Sequence, residues 1–171
     1  MNNKLKNYTS DVPVLRSLAE IDGLLIAAGV SNISKEFAPS PPGKVAAVRF
    51  TILFPGQKAV TIRLPANEEG ALNVLWRDYV GTEKLSADGQ SVQRYDMRRF
   101  SKTKGDFKEQ AGRVAWRIIK DWLAIELSRM RMQEADVREV FLSYVWDGKQ
   151  TLFERIKADN FLALGPGKDH P

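Results

Sequence analysis

Between Gly105 and Met132 the chain reads GDFKEQAGRVAWRIIKDWLAIELSRMRM, a stretch without proline and with one glycine, Gly112, after its first residue. Ala111, Val114, Ala115, Ile118, Trp122 and Ile125 recur at steps of three and four, the spacing of one face of an α-helix. Ile119, Leu123, Leu127 and Met130 form a second apolar row beside it. Two adjoining rows leave a narrow strip for water, and Arg113, Arg117 and Lys120 fall together on it. The pattern predicts a long central helix, with Trp116 off the buried row and the residues from Trp122 onward in the core.

The elements around it follow from local chemistry. Ser10 or Asp11 caps a first helix with Pro13 in its first turn, where a missing N–H costs nothing. Val14, Leu18, Ile21, Leu25 and Ala28 line its buried face, and Gly29 stops it. Asn32–Phe37 reads as a short strand and Ala38–Lys44 as a proline-rich loop. Val48, Phe50, Ile52 and Phe54 then alternate with Arg49, Thr51 and Leu53; after a turn at Pro55-Gly56, Val60, Ile62 and Leu64 alternate with Ala59, Thr61 and Arg63.

An odd-numbered hairpin loop keeps both apolar sets on one face, which sets Ile52 opposite Val60 and Arg49 opposite Arg63. Like charges so opposed are mildly destabilising; they are tolerable if solvated, and useful if an anion lies across that face. Asn67 caps a second helix with Glu68 and Glu69 in its first turn and Leu72, Leu75, Trp76 and Tyr79 on its inner face. Residues 81–105 lose clear periodicity and read as a long basic loop, either mobile or with Val92–Phe100 pairing as an edge hairpin or wrapping the surface. Past the central helix, Gln133 or Glu134 opens another, with Val137, Val140, Phe141, Tyr144 and Val145 on its apolar face. Asp147-Gly148 is a turn, Leu152, Phe153 and Ile156 mark a last short helix, and the tail frays after about residue 160. The expected fold is one α+β domain over residues 1–171, with a polar lead-in and a small antiparallel sheet of about three strands. That sheet is expected to pack against the long central helix and several shorter ones.

Composition narrows the chemistry. There is no cysteine, and the one histidine, His170, is penultimate, so thiolate catalysis, a histidine dyad and a multi-histidine metal site are excluded. The carboxylate pairs Glu20/Asp22 and Asp121/Glu126 match no metal motif and read as surface charges, and Gly43-Lys44 lacks the Walker pattern. No catalytic residue, metal or cofactor is therefore expected, and a metal-dependent enzyme ranks last among the readings. The N-terminus has no apolar signal region and no window approaches a membrane span, so a cytoplasmic protein without a membrane partner is expected.

The net charge of +5 is concentrated. Arg94, Arg98, Arg99, Lys102, Lys104 and Lys108 stand against Asp96 and Asp106, with Tyr95 and Phe100 interleaved. Cations that meet phosphates beside rings that stack on bases are the components of a nucleic-acid interface. Arg113, Arg117 and Lys120 would continue it along the central helix, and Arg49 and Arg63 would assist from the sheet. The competing reading is a solvated loop, with Glu109–Arg113 an ordinary i,i+4 pair.

Two groups of residues carry a resemblance. One is Tyr8-Thr9-Ser10, Pro13, Glu20-Ile21, Leu24-Leu25 and Gly29; the other is Ala115-Trp116-Arg117, Lys120-Asp121-Trp122, Glu139-Val140-Phe141-Leu142 and Tyr144. Together they resemble a family of small proteins carried by phages, prophages and integrative elements, over most of the chain except Asp88–Lys104. The resemblance implies a mobile-element protein inside a host cell and transfers no functional residue. It leaves two partner classes open: nucleic acid, or a host or phage protein met through the helix after Met132 and Trp146. The order helix, three strands, helix also matches a double-stranded RNA-binding domain, but Glu68 and Glu69 stand where that domain is expected to place phosphate-binding lysines.

Overall fold

The computed structural model describes residues 4–53, 59–80 and 101–159. Five α-helices and three strands follow in the order α1 (Val14–Ala27), β1 (Ser31–Phe37), β2 (Val45–Ile52), β3 (Val60–Pro65), α2 (Glu68–Val80), α3 (Lys108–Arg131), α4 (Val137–Phe141) and α5 (Leu152–Ala158). The α+β class and the three-stranded antiparallel sheet are as the sequence indicates. The chain divides into two compact units, Met1–Ile21 with Ala66–Trp122 and Asp22–Pro65 with Leu123–Pro171. Both α1 and α3 contribute residues to each. Among the described residues, no helix is long and apolar enough to cross a membrane.

In the first unit, Ala71 and Leu75 of α2 pack with Ala111, Val114 and Ala115 of α3, and Leu5, Leu72, Phe107 and Ile118 close the edges. Asn67 caps α2 as its chemistry suggests, its side-chain oxygen accepting from the Gly70 N–H at 2.9 Å. Trp116, expected beside the buried row, is completely buried. Gly112, one turn before Trp116, faces α1: Val14 Cγ2 lies 3.6 Å from where a Cβ would stand. Val14 and Glu20 of α1 thus lie along the flank of α3 that carries Gly112, Arg117 and Lys120. Arg117 and Lys120 lie against that helix and Arg113 against Ser10, so the strip is mostly withdrawn from water, each side chain being only 21–22% exposed.

In the second unit the sheet order is β1-β2-β3. The β2–β3 register sets Ile52 opposite Val60 and Arg49 opposite Arg63, as the alternation requires. The turn at Pro55-Gly56 and Phe54 lie outside the described residues. Val48, Phe50, Ile62 and Leu64 are buried, and Phe50 meets Phe141 of α4 edge-on with ring centroids 5.4 Å apart. Strand β1 pairs with β2 through Ser34↔Arg49 and Glu36↔Ala47, with irregularities on either side of that run.

Three expectations change in this unit. Ile125 is 53% exposed while Leu123 is fully buried, and Trp122, in the first unit, is only half-buried. Burial along α3 is thus set by the neighbours in each unit rather than by one continuous helical row. Gln133 does not open a helix but ends α3. It adopts φ +60, and the Glu134 N–H reaches back to the Arg129 carbonyl at 3.0 Å, a left-handed stop of the kind that Gly29 provides for α1. Helix α4 begins only after Asp136, whose carboxylate accepts from the Arg138 N–H. It ends at Phe141, so Trp146 is extended rather than helical: its N–H donates to the Thr61 carbonyl at 2.9 Å. Asp147-Gly148 then turns the chain, and Thr151 with Glu154 forms a reciprocal cap on α5.

Trp116→Ala is expected to cost about 3–5 kcal/mol in urea unfolding, because the side chain is fully buried and its removal leaves a cavity. Gly112→Ala is expected to stabilise by about 0.5–1 kcal/mol, since a Cβ there meets only ordinary contacts in a helix interior. A destabilised Gly112→Ala protein would show that the close approach of α1 depends on the bare glycine.

Candidate nucleic-acid interface

The cations proposed from sequence divide into three groups. Arg94, Tyr95, Arg98, Arg99 and Phe100 lie outside the described residues. On the sheet, Arg49 and Arg63 face one another across β2 and β3, but the anion between them belongs to the protein. Glu36 of β1 accepts from Arg63 Nε at 2.9 Å and from Arg63 Nη2 at 2.8 Å, a bidentate pair. The same carboxylate lies 3.9 Å from Arg49 Nε, and Glu154 lies 4.0 Å from Arg63. The hydrogen bonds from Arg63 hold the Glu36 carboxyl below its ordinary value of 4.5 against the opposing effect of burial, and the charges of Arg63 and Arg49 add to the drop.

On α3 the pattern repeats. Arg117 donates to Glu20 of α1 at 2.7 Å, and Lys120 lies 3.3 Å from Asp121 and 3.7 Å from Glu20. Asp121 also accepts from Asn7 at 3.0 Å and pairs with Lys6 at 3.3 Å. Burial pushes the Glu20 carboxyl up, but Arg117, Lys120 and Arg16 together bring it below its ordinary value. Arg113 pairs with Glu109 and Gln110 and donates to the Ser10 carbonyl at 3.2 Å, tying the N-terminal segment to the helix. The carboxylates of Glu20, Asp22, Asp121 and Glu126 are all partnered by cations, and no metal-holding cluster occurs among the described residues.

Lys102, Lys104 and Lys108 make up the third group. All three are exposed and precede or open α3. Thr103 fixes their backbone by donating its N–H to Asp106 at 2.7 Å and its hydroxyl to the same oxygen at 2.9 Å. These bonds, with some help from Lys102, lower the Asp106 pKa. Beside them lies a group of rings the sequence pattern did not single out as a unit. Phe107 stands 5.1 Å from Tyr79 and 6.2 Å from Trp76, centroid to centroid. Lys102 Nζ is 5.6 Å from the Phe107 ring, Lys104 Nζ donates to Asn73 of α2, and the Tyr79 hydroxyl is 3.3 Å from that of Ser101. The available signal was the i,i+3 spacing of Trp76 and Tyr79; that Phe107 would join them is a tertiary fact. Three half-buried rings edged by exposed ammonium groups can stack a planar group and neutralise an attached anion.

No protein-family model, curated protein or solved structure matches the chain.

Glu36→Gln keeps the shape of the side chain and removes its charge. It is expected to cost about 1–3 kcal/mol near neutral pH, limited by partial exposure, because Arg63 then keeps only the distant Glu154. A carboxyl with a depressed folded pKa contributes fully above its unfolded value and loses that contribution as pH falls through the folded one. The gap between wild type and variant should therefore close as pH drops below about 4.5 in urea titrations. A gap that persists at acid pH would assign the effect to shape rather than charge.

Proposed function

We propose that this is a non-enzymatic protein that binds single-stranded nucleic acid through the surface formed by Lys102, Lys104 and Lys108 with Trp76, Tyr79 and Phe107, with the cations and rings of the sequence segment Arg94–Phe100 as further candidates. The observation that supports this most directly is the contrast between cations. Arg63, Arg113, Arg117 and Lys120 face carboxylates of the same chain, whereas Lys102, Lys104 and Lys108 are exposed, and Lys102 stands over the Phe107 ring. Rings supply sequence-tolerant stacking, and lysines supply charge neutralisation with little demand on geometry. A mobile-element protein, as the resemblance implies, has such strands to meet during replication and transfer of its element.

A second reading, an adaptor or inhibitor that docks on a host or phage protein, draws on an apolar groove in the second unit. The groove is about 690 Å³ and is lined by Leu24, Ile52, Leu53, Leu127, Met130 and Val137, with Leu53 68% exposed. Trp146, the other residue considered for that role, is covered by Arg49.

Fluorescence anisotropy with a labelled single-stranded oligonucleotide tests the first reading. Changing Lys102, Lys104 and Lys108 together to Gln should weaken binding at least tenfold at low salt and reduce the slope of log K against log salt by about 2. Absence of binding at low salt would overturn the function. Binding unchanged in the triple variant would overturn the site. If binding is absent and Leu53→Asp abolishes a protein complex that survives nuclease treatment, the second reading takes its place.

A further inference from the structure

Arg49 and Arg63 occupy equivalent positions on neighbouring strands but are not equally satisfied. Arg63 has a carboxylate on two of its nitrogens and is 18% exposed. The side chain of Arg49, directly opposite and 32% exposed, makes no hydrogen bond to any described residue; its Nε is buried without a partner, and Glu36 comes no closer than 3.9 Å. Its guanidinium is instead held over the Trp146 ring, 5.0 Å from the centroid. Stacking of this kind covers one face of the group and leaves the in-plane N–H fork for another ligand.

The surroundings suit such a ligand. Arg49 borders a hollow of about 470 Å³ on the sheet, together with Asn32, Ser34, Thr51, Thr61 and Trp146. Ser34 pairs with Arg49 and Thr51 with Thr61, and Thr51 lies two residues from Arg49, so three hydroxyls share its face of the sheet. Charge selects the class of anion. Arg49 and Arg63 stand against Glu36 and Glu154, so a dianion such as a phosphate monoester gains little and meets Glu36 close by. A single planar negative charge fits better, and Glu36 on Arg63 is the protein's own example of the pairing. We infer that Arg49, stacked on Trp146, is a receptor for a carboxylate, which the Arg49 fork holds while hydroxyls from Ser34, Thr51 and Thr61 fix its orientation. The site is independent of the lysine and ring surface described above.

The Arg49 Nε–H resonance in a proton–nitrogen correlation spectrum reports on it. Titration with acetate and with glutarate should move this resonance saturably. The Arg49→Lys variant, which keeps the charge but loses the fork, should bind on the order of tenfold more weakly by competition or calorimetry. Thr51→Val, a change of shape-matched polarity, should weaken binding several-fold, and it serves if Arg49→Lys does not fold. Comparing a free dicarboxylate with a Glu-rich peptide distinguishes the source: tighter binding of the peptide places the carboxylate on a protein, and equal or tighter binding of the free acid places it on a small molecule. No saturable shift, or a shift equally produced by inorganic phosphate or by the oligonucleotide, overturns the inference.

Discussion

Glu36 sits where the apolar core forces two arginines to face each other. Val48, Phe50, Ile62 and Leu64 must point to the same side of the sheet, and with a side-chain period of two this fixes Arg49 opposite Arg63. The register cannot slip by one residue to separate the charges without turning the core outward. The conflict is resolved from the third strand. β1 pairs Glu36 with Ala47, which brings its carboxylate onto the arginine face, within reach of Arg63 and near Arg49. The irregularities in β1 on either side of this run show that its pairing is adjusted locally and is not a uniform ladder.

The first unit handles the same difficulty with helices. Val14 and Glu20 of α1 lie along α3, which places that helix beside the strip bearing Arg117 and Lys120. Glu20 and Asp121 make the arrangement possible, because cations drawn out of water need an opposite charge within hydrogen-bond range. Arg113 is satisfied differently, by a backbone carbonyl of the lead-in and the side chains of its own helix. The charged strip is thus a joint between two helices, which is why it is only about one-fifth exposed.

Elements whose signals are local were legible in the sequence. The hairpin register, the Asn67 cap, the Gly29 stop and the extent of α3 all follow from side-chain period and terminal chemistry. What was not legible depends on partners distant in sequence. Nothing near Trp116 announces that it will be fully buried, and nothing in Ser31–Phe37 announces that Glu36 will meet Arg63 across a strand pairing with bulges. Gln133 misleads for a physical reason: a left-handed stop usually falls on glycine, and here the backbone bonds of the stop hold a residue that normally avoids that conformation. The ring cluster of Trp76, Tyr79 and Phe107 was half visible, as an i,i+3 pair awaiting a third member.

Pairing a cation with a carboxylate leaves the net charge unchanged, so the excess of +5 has to reside on residues outside these pairs. Two kinds of site follow. Exposed lysines such as Lys102 and Lys108 are strongly hydrated point charges on flexible stems, indifferent to the exact position of an anion, and they suit a polymer of phosphates that is itself variable in path. Arg49 is the opposite case: a planar fork held on a ring, beside a carboxylate that limits how much negative charge can approach. Such a group discriminates by shape and by valence. If both proposals hold, the chain presents positive charge in a permissive form next to α3 and in a selective form on the sheet, and a ligand suited to one is poorly suited to the other.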